Sequence, residues 1–242
     1  MRAMILAAGL GTRLQPFTNR HPKALAEVNG QCLLGRNIIY LQQFGIKEVI
    51  VNVHHFADQM VEAVKQYNGW GSKITISDEQ DEVLETGGGL VKAAHYFKNE
   101  ESFVLMNADI LTNMDLGKMI AAHQKNKSIA TLAVSNRESS RCLLFNEQQQ
   151  MVGWKNNSTG EEKGPILQMK DRTAIYPMSF SGIHLLNTSI FSLIERTGKF
   201  SMIDLYLDIC DKQVIQGYDH SGDIFIDVGR PESLEKAAQY FN

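Results

Sequence analysis

The stretch Ala3-Met-Ile-Leu-Ala-Ala-Gly-Leu-Gly-Thr-Arg-Leu-Gln-Pro-Phe-Thr-Asn-Arg-His-Pro-Lys-Ala-Leu25 runs from an apolar segment into two closely spaced glycines and then into cations. An apolar run that breaks into glycine reads as a strand feeding a turn. A P-loop requires GxxxxGK followed by Ser or Thr, and neither Gly9 nor Gly11 supplies that spacing. The dinucleotide fingerprint GxGxxG fits Gly9 and Gly11 but meets Leu14 where the third glycine should let helix and strand approach. What remains is a turn of small side chains whose backbone N–H groups face an anion, with Arg13 as a planar guanidinium and Lys23 as a point charge. On its own the segment reads either as a triphosphate cradle or as a glycine-rich turn with two solvated cations.

Outward from this turn, strands and helices alternate. Hydrophobic spacing predicts strands at residues 4–8, 48–53, 73–77 and 103–106, and helices at 33–44, 57–67, 89–97 and 116–125. That order implies an α/β fold: a mostly parallel, Rossmann-like sheet flanked by helices in a three-layer α/β/α arrangement, as one domain over residues 1–242. Beyond Ser128 the pattern becomes a meander, with short strands at 130–134, 142–145 and 151–154. The polar segment 156–164 reads as a hairpin tip or a substrate lid. A strand at 178–185, helices at 189–195 and 202–212, a strand at 224–228 and a last helix with Pro231 at its first position complete the expectation.

The composition narrows the function. Hydrophobic residues make up 43% and charged residues 21% of the chain, ordinary for a globular protein. A formal net charge of -3 offers no basic field for a polynucleotide, so no nucleic-acid partner is expected. The three cysteines, Cys32, Cys142 and Cys210, are widely spaced and contain no CxxC pair, which suits reduced cytoplasmic thiols. Gly9, Gly11 and Arg13 cut the first apolar stretch too short for a secretion signal, and no run is long enough to span a bilayer. Asn107-Ala-Asp109 ends an apolar strand, where open α/β sheets place ligands.

LAAGLGTRL at 6–14, then Pro16, then PKAL at 22–25, resembles the LAAGxGTRL...PKxL signature of the sugar-1-phosphate nucleotidyltransferases, whose fold is GT-A-like. The resemblance implies a nucleoside triphosphate lying across the turn, attacked at its α-phosphorus by a sugar 1-phosphate with release of pyrophosphate. It implies catalytic roles for Arg13 and Lys23 and nucleotide contacts from Leu6, Ala8, Gly9, Gly11 and Thr12. The segment 79–89, EQDEVLETGGG, is similar to the family's base-contacting segment and implies base contacts at Glu79, Gly87 and Gly88.

Asn107-Ala-Asp109 looks like the family's NGD motif with Ala108 for glycine, and Asp227 in Ile226-Asp-Val-Gly229 matches its second acidic position. Together Asp109 and Asp227 imply a Mg2+ site, an ion usually held by one or two carboxylates plus water and phosphate oxygens. Asn107, Lys155 and Gly182 are the implied acceptor contacts.

LETGGG is more typical of the relatives that transfer uridylyl to N-acetylmuramate 1-phosphate or guanylyl to heptose or mannose phosphates. UTP with N-acetylmuramate 1-phosphate, or a related hexose phosphate, is the first expectation. Guanylyl transfer or cytidylyl transfer to phosphocholine is the second, and a non-catalytic nucleotide-sugar-binding subunit a third of another class. A cytoplasmic monomer or small homo-oligomer with no membrane partner is expected.

Overall fold

The computed structural model describes residues 1–79 and 83–241. In its first half the strands are β1 (Ala3–Leu6), β2 (Glu27–Val28), β3 (Gln31–Cys32), β4 (Glu48–Val53), β5 (Lys73–Asp78), β6 (Ser102–Asn107) and β7 (Ile110–Thr112). The second half adds β8 (Ala130–Ser135), β9 (Arg141–Phe145), β10 (Met151–Asn156), β11 (Glu162–Lys163), β12 (Tyr176–Asn187), β13 (Ile215–Asp219) and β14 (Phe225–Asp227). The α-helices are α1 (Leu33–Gln43), α2 (Ala57–Gln66), α3 (Glu85–Ala93), α4 (Leu116–Asn126), α5 (Met202–Ile209) and α6 (Pro231–Ala238).

Strands β6, β1, β4 and β5 lie side by side and run parallel, as the alternation of strands and helices implies. The sheet then becomes mixed. Strand β12 is antiparallel to β6 and also pairs with β8 and β9, and β10 and β11 extend the meander. Short ribbons of β2 with β3 and of β7 with β14 lie outside the main sheet.

Both faces of β1, β4 and β6 are buried, which is why they read as unbroken apolar runs. Ala3, Ile5, Val49, Val51, Val104 and Met106 face one core with Leu34, Ile38 and Leu41 of α1, Met60 of α2 and Met119 of α4. The alternate residues Met4, Ile50, Phe103 and Leu105 face the other, with Leu90 of α3 and Leu205 of α5. This is the α/β/α sandwich expected from the sequence. Among the described residues no helix is long and apolar enough to cross a membrane.

Helix ends follow local chemistry. Gly45, at φ 76°, closes α1: its N–H donates to Gln42 O at 3.0 Å and Ile46 N–H to Leu41 O at 3.2 Å. Ser201 and Asp204 form a reciprocal capping box at α5, and Pro231 begins α6.

Other bounds differ from expectation. Helix α3 starts at Glu85, not at residue 89, because its glycines pack tightly inside the first turn. Residues 188–193 form a 3-10 helix, and α5 stops at Ile209. Strand β13, whose sequence Ile-Gln-Gly-Tyr-Asp lacks an apolar run, is held by parallel pairing with β8. Segment 156–164 is a hairpin tip joining β10 to β11, closed by Asn156 N–H to Glu161 O at 2.8 Å.

His184 on β12 is buried, its Nδ1 2.6 Å from the Tyr206 hydroxyl, and desolvation pushes its pKa down to about 3. An unfolded histidine takes a proton near pH ~6.5, whereas the folded chain refuses it. Stability from this residue is therefore present above pH ~6.5 and falls as pH drops from there toward the folded value, by up to ~1.4 kcal/mol per pH unit. His123 and His220, also lowered by burial, add to this slope. In His184→Gln, urea-unfolding free energies measured from pH 6.5 to 5 should fall less steeply by up to one proton; an unchanged slope would refute the assignment.

Candidate active site

The carboxyl ends of three parallel strands form one row. Leu6 ends β1 opposite Asn52 of β4 on one side and Asn107 of β6 on the other. Past Leu6 the chain leaves the sheet through Ala7, Ala8 and Gly9. A cleft of about 420 Å3 opens there, lined by Leu6, Ala7, Ala8, Gly9, Gly11, Thr12, Arg13, Lys23, Asn52, Asn107, Ala108 and Asp109, with Val83, Glu85, Thr86 and Ser201 on its far wall. Such crevices outside the strand ends are where α/β sheets bind ligands.

The turn is held from below. Asn52 is 2% exposed; its Oδ1 accepts from Ala7 N–H at 2.6 Å while its Nδ2 donates to Glu79 Oε1 at 2.7 Å. Gly11 sits at φ 62°, and its carbonyl accepts from Leu14 N–H at 2.9 Å and from the Thr18 hydroxyl at 3.0 Å. A side chain there would press on Lys23 and Thr18. Around Gly9, by contrast, an added methyl would meet no protein atom within 4 Å.

Two cations and two carboxylates meet at the mouth. Lys23 Nζ is ion-paired with Asp109, and Arg13 Nη2 lies 4.0 Å from Asp227 Oδ2. Asp109 and Asp227 come together because β14 pairs antiparallel with β7, which sets Asp227 opposite Ile110, and Val228 N–H donates to Asp109 O at 2.8 Å. Asn37 of α1 fixes the intervening turn, donating to Ala108 O at 2.9 Å. Gly229 completes the corner: a methyl on it would fall 2.8 Å from Arg13 Nη2 and 2.7 Å from Asp227 Oδ1.

A second cavity of about 580 Å3 adjoins this corner, lined by Arg137, Arg141, Leu143, Trp154, Asn156, Lys163, Phe180, Asp204 and Asp227, and Ser201 lines both. Gly182 joins the two regions. At φ 70° it produces a register shift in β12, and its missing side chain leaves room for Asn107, whose Nδ2 would be 2.8 Å from a methyl.

Residues 2–142 match the sequence profile described as nucleotidyl transferase. The chain belongs to the nucleotidyl transferase family. It is 36% identical to the N-acetylmuramate alpha-1-phosphate uridylyltransferase of Neisseria meningitidis serogroup B, covering 98% of this chain and 96% of the relative. To the protein of the same name from Caulobacter vibrioides it is 31% identical, over 96% and 93%. The crystal structure of HddC from Yersinia pseudotuberculosis complexed with GMP-PN superposes with a TM-score of 0.78 at 26% identity, covering 100% of this chain and 99% of that one.

The nucleotidyl transferase brings most of the residues expected from its sequence into one place. Leu6, Ala8, Gly9, Gly11, Thr12, Arg13, Lys23, Asn107 and Asp109 line the first cleft, and Asp227 and Gly182 adjoin it.

Four residues stand elsewhere. Glu79 is fully buried: its carboxylate binds Asn52 and accepts from Leu84 N–H at 3.4 Å, and burial raises its pKa, so it supports the cleft without lining it. Gly87 and Gly88 do not present free N–H groups to a base; both donate to Phe200 O, at 2.9 and 3.4 Å, and their missing side chains admit Phe200 and Gly198. Val83, Glu85 and Thr86 line the cleft in their place, and residues 80–82 of that segment lie outside the described residues.

Lys155 pairs with Glu162 at 3.4 Å, away from the second cavity. Alternation along the strand puts Trp154 and its cross-strand partner Lys163 on the cavity side. His54 and His55 line neither cavity; His54 bonds the Glu79 carbonyl at 2.6 Å. Reading the sequence also missed Asn52, a polar residue ending the apolar run Val-Ile-Val-Asn-Val, and Arg137 and Lys163, which no motif marks.

Two glycines should separate ligand space from packing space. Gly88→Ala would put a methyl 2.3 Å from Gly198 O, and we expect a loss of ~1–3 kcal/mol in urea unfolding. Gly9→Ala should leave that stability unchanged while weakening nucleotide binding in calorimetric titration. Equal stability losses in the two variants would contradict this division.

Proposed function

We propose that the enzyme transfers a nucleoside monophosphate from a triphosphate to a sugar 1-phosphate, releasing pyrophosphate. The favoured pair is UTP and N-acetylmuramate 1-phosphate or a related hexose 1-phosphate. The observation that carries this reading is the corner where Lys23 with Asp109 and Arg13 with Asp227 meet between two cavities, one for each substrate. The names of the two uridylyltransferase relatives support the choice of pair.

The phosphates would lie over the Gly9 to Thr12 backbone, with Arg13 and Lys23 turning from their carboxylates to phosphate oxygens. An oxygen of the acceptor phosphate attacks the α-phosphorus in line from the second cavity; the α–β bridging P–O bond breaks as the new P–O bond forms, and pyrophosphate leaves. The attacking phosphate is already anionic, so no general base is needed. Catalysis is then positioning and charge stabilisation.

Among the described residues no three His, Cys, Asp or Glu side chains form a metal cluster. Two carboxylates at adjacent backbone positions instead suit Mg2+, which retains waters and takes its remaining ligands from phosphate oxygens. Held by Asp109 and Asp227, Mg2+ would withdraw charge from the reacting phosphoryl group.

A second reading, with GTP as the donor, draws on Glu85, which lines the nucleotide cleft at φ 58° with its carboxylate 3.8 Å from Lys199 Nζ: turned from that lysine, a carboxylate suits the adjacent N1–H and N2–H donors of guanine. A non-catalytic nucleotide-sugar-binding subunit is disfavoured because all four charged residues of the corner are present.

Pyrophosphate release with UTP, GTP, CTP, ATP and dTTP against a panel of sugar 1-phosphates and phosphocholine identifies the pair. No release from any combination with Mg2+ overturns the proposal. With the best pair, Asp109→Ala and Asp227→Ala should each lower turnover at least ~100-fold, and chelation of Mg2+ should abolish it. Near-normal turnover in either variant removes that carboxylate from the metal site.

A further inference from the structure

Arg137 follows β8, and nothing in the motifs gives it a task. Three contacts fix it. Its backbone carbonyl accepts from the Ser179 hydroxyl at 2.7 Å, its Nη2 donates to Phe180 O at 2.5 Å, and its guanidinium carbon lies 4.4 Å over the Phe225 ring. Phe225 and Asp227 are two residues apart on β14, so the guanidinium lies on the side of that strand from which Asp227 projects. Both Arg137 and Asp227 line the second cavity.

The other terminal nitrogen, Nη1, is buried and has no hydrogen-bond partner among the described residues. A buried cationic donor left so carries an uncompensated desolvation cost. A guanidinium with only a structural task would turn that N–H to water or to a carbonyl. Burial lowers the pKa of this arginine, Asp227 opposes the shift, and the guanidinium lines the second cavity. Asp227 thus stands between two guanidiniums, Arg13 on the nucleotide side and Arg137 on the other.

We propose that Arg137 binds the phosphate of the acceptor, its Nη1 donating to a phosphate oxygen and so setting the attacking oxygen beside Asp227. Stacking on Phe225 and the bond to Phe180 O keep the fork rigid before substrate arrives, and the cavity beyond it receives the sugar. This rests on the nucleotidyl-transfer reading above, and it assigns the phosphate anchor to a residue outside the strand-end motifs.

The test uses Arg137→Gln, which keeps a planar N–H group for Phe180 O and Phe225 and removes the charge. Calorimetric titrations with glucose 1-phosphate, which carries only a phosphate, and with N-acetylmuramate, which carries only a carboxylate, separate the two anion sources. In Arg137→Gln we expect glucose 1-phosphate binding to weaken at least tenfold, with N-acetylmuramate and nucleotide binding unchanged. With the best substrate pair, the acceptor KM should rise at least tenfold while the nucleotide KM stays within about twofold, and Arg137→Lys should recover part of the loss.

Unchanged glucose 1-phosphate binding, an effect confined to N-acetylmuramate, no phosphate binding by the natural protein, or a fall in kcat alone each overturns the assignment. If the natural protein releases no pyrophosphate with any pair yet binds glucose 1-phosphate through Arg137, the transfer reading fails and the anchor stands.

Discussion

The primary amide of Asn52 is the joint on which the first cleft depends. One end holds the backbone of Ala7, where the chain leaves the sheet, and the other holds Glu79, which reaches on to the N–H of Leu84 just before α3. The glycine turn after β1 and the far wall of the cleft therefore share one buried polar relay. Each member satisfies the next, which makes burying a carboxylate tolerable. The raised pKa of Glu79 reflects the part of that cost its partners do not repay.

Glycine does three different jobs around this relay, and a sequence motif does not tell them apart. At Gly9 the absent side chain borders open space in the cleft, at Gly11 and Gly182 it permits a left-handed backbone, and at Gly87 and Gly88 it lets a loop lie against a helix. Of these, only the turn at Gly9 and Gly11 was legible, because short spacing and a preceding strand define it. The third was not, because the partner, Phe200, is more than a hundred residues away in sequence. The same distance hid the start of α3, whose glycines are weak helix formers that tertiary contact overrides.

Much of the parallel half of the fold was legible, since strands buried on both faces announce themselves as apolar runs and the helices between them by period. Asp109 and Asp227 were legible as strand-end acids, but their meeting depends on the β7 and β14 ribbon, too short to be seen in the sequence. The antiparallel half gave less away. In β10 and β11 a shift of one residue decides which lysine faces the cavity, and the alternation of a half-exposed hairpin leaves that choice open. Arg137 lies in an irregular connection, where neither period nor motif applies.

Strand β12 carries a consequence for motion. Its first residues pair with β9 beside the second cavity, its middle with β8, and its last with β6, whose Asn107 lines the first cleft. Twelve residues span at most ~40 Å of extended backbone. The two cavities are therefore mounted on one covalent ruler, with Gly182 as the notch between them. A hinge between the halves would have to tear a ladder, so any adjustment of the cavities falls to the hairpins and side chains at the rim, while the span from one to the other stays fixed.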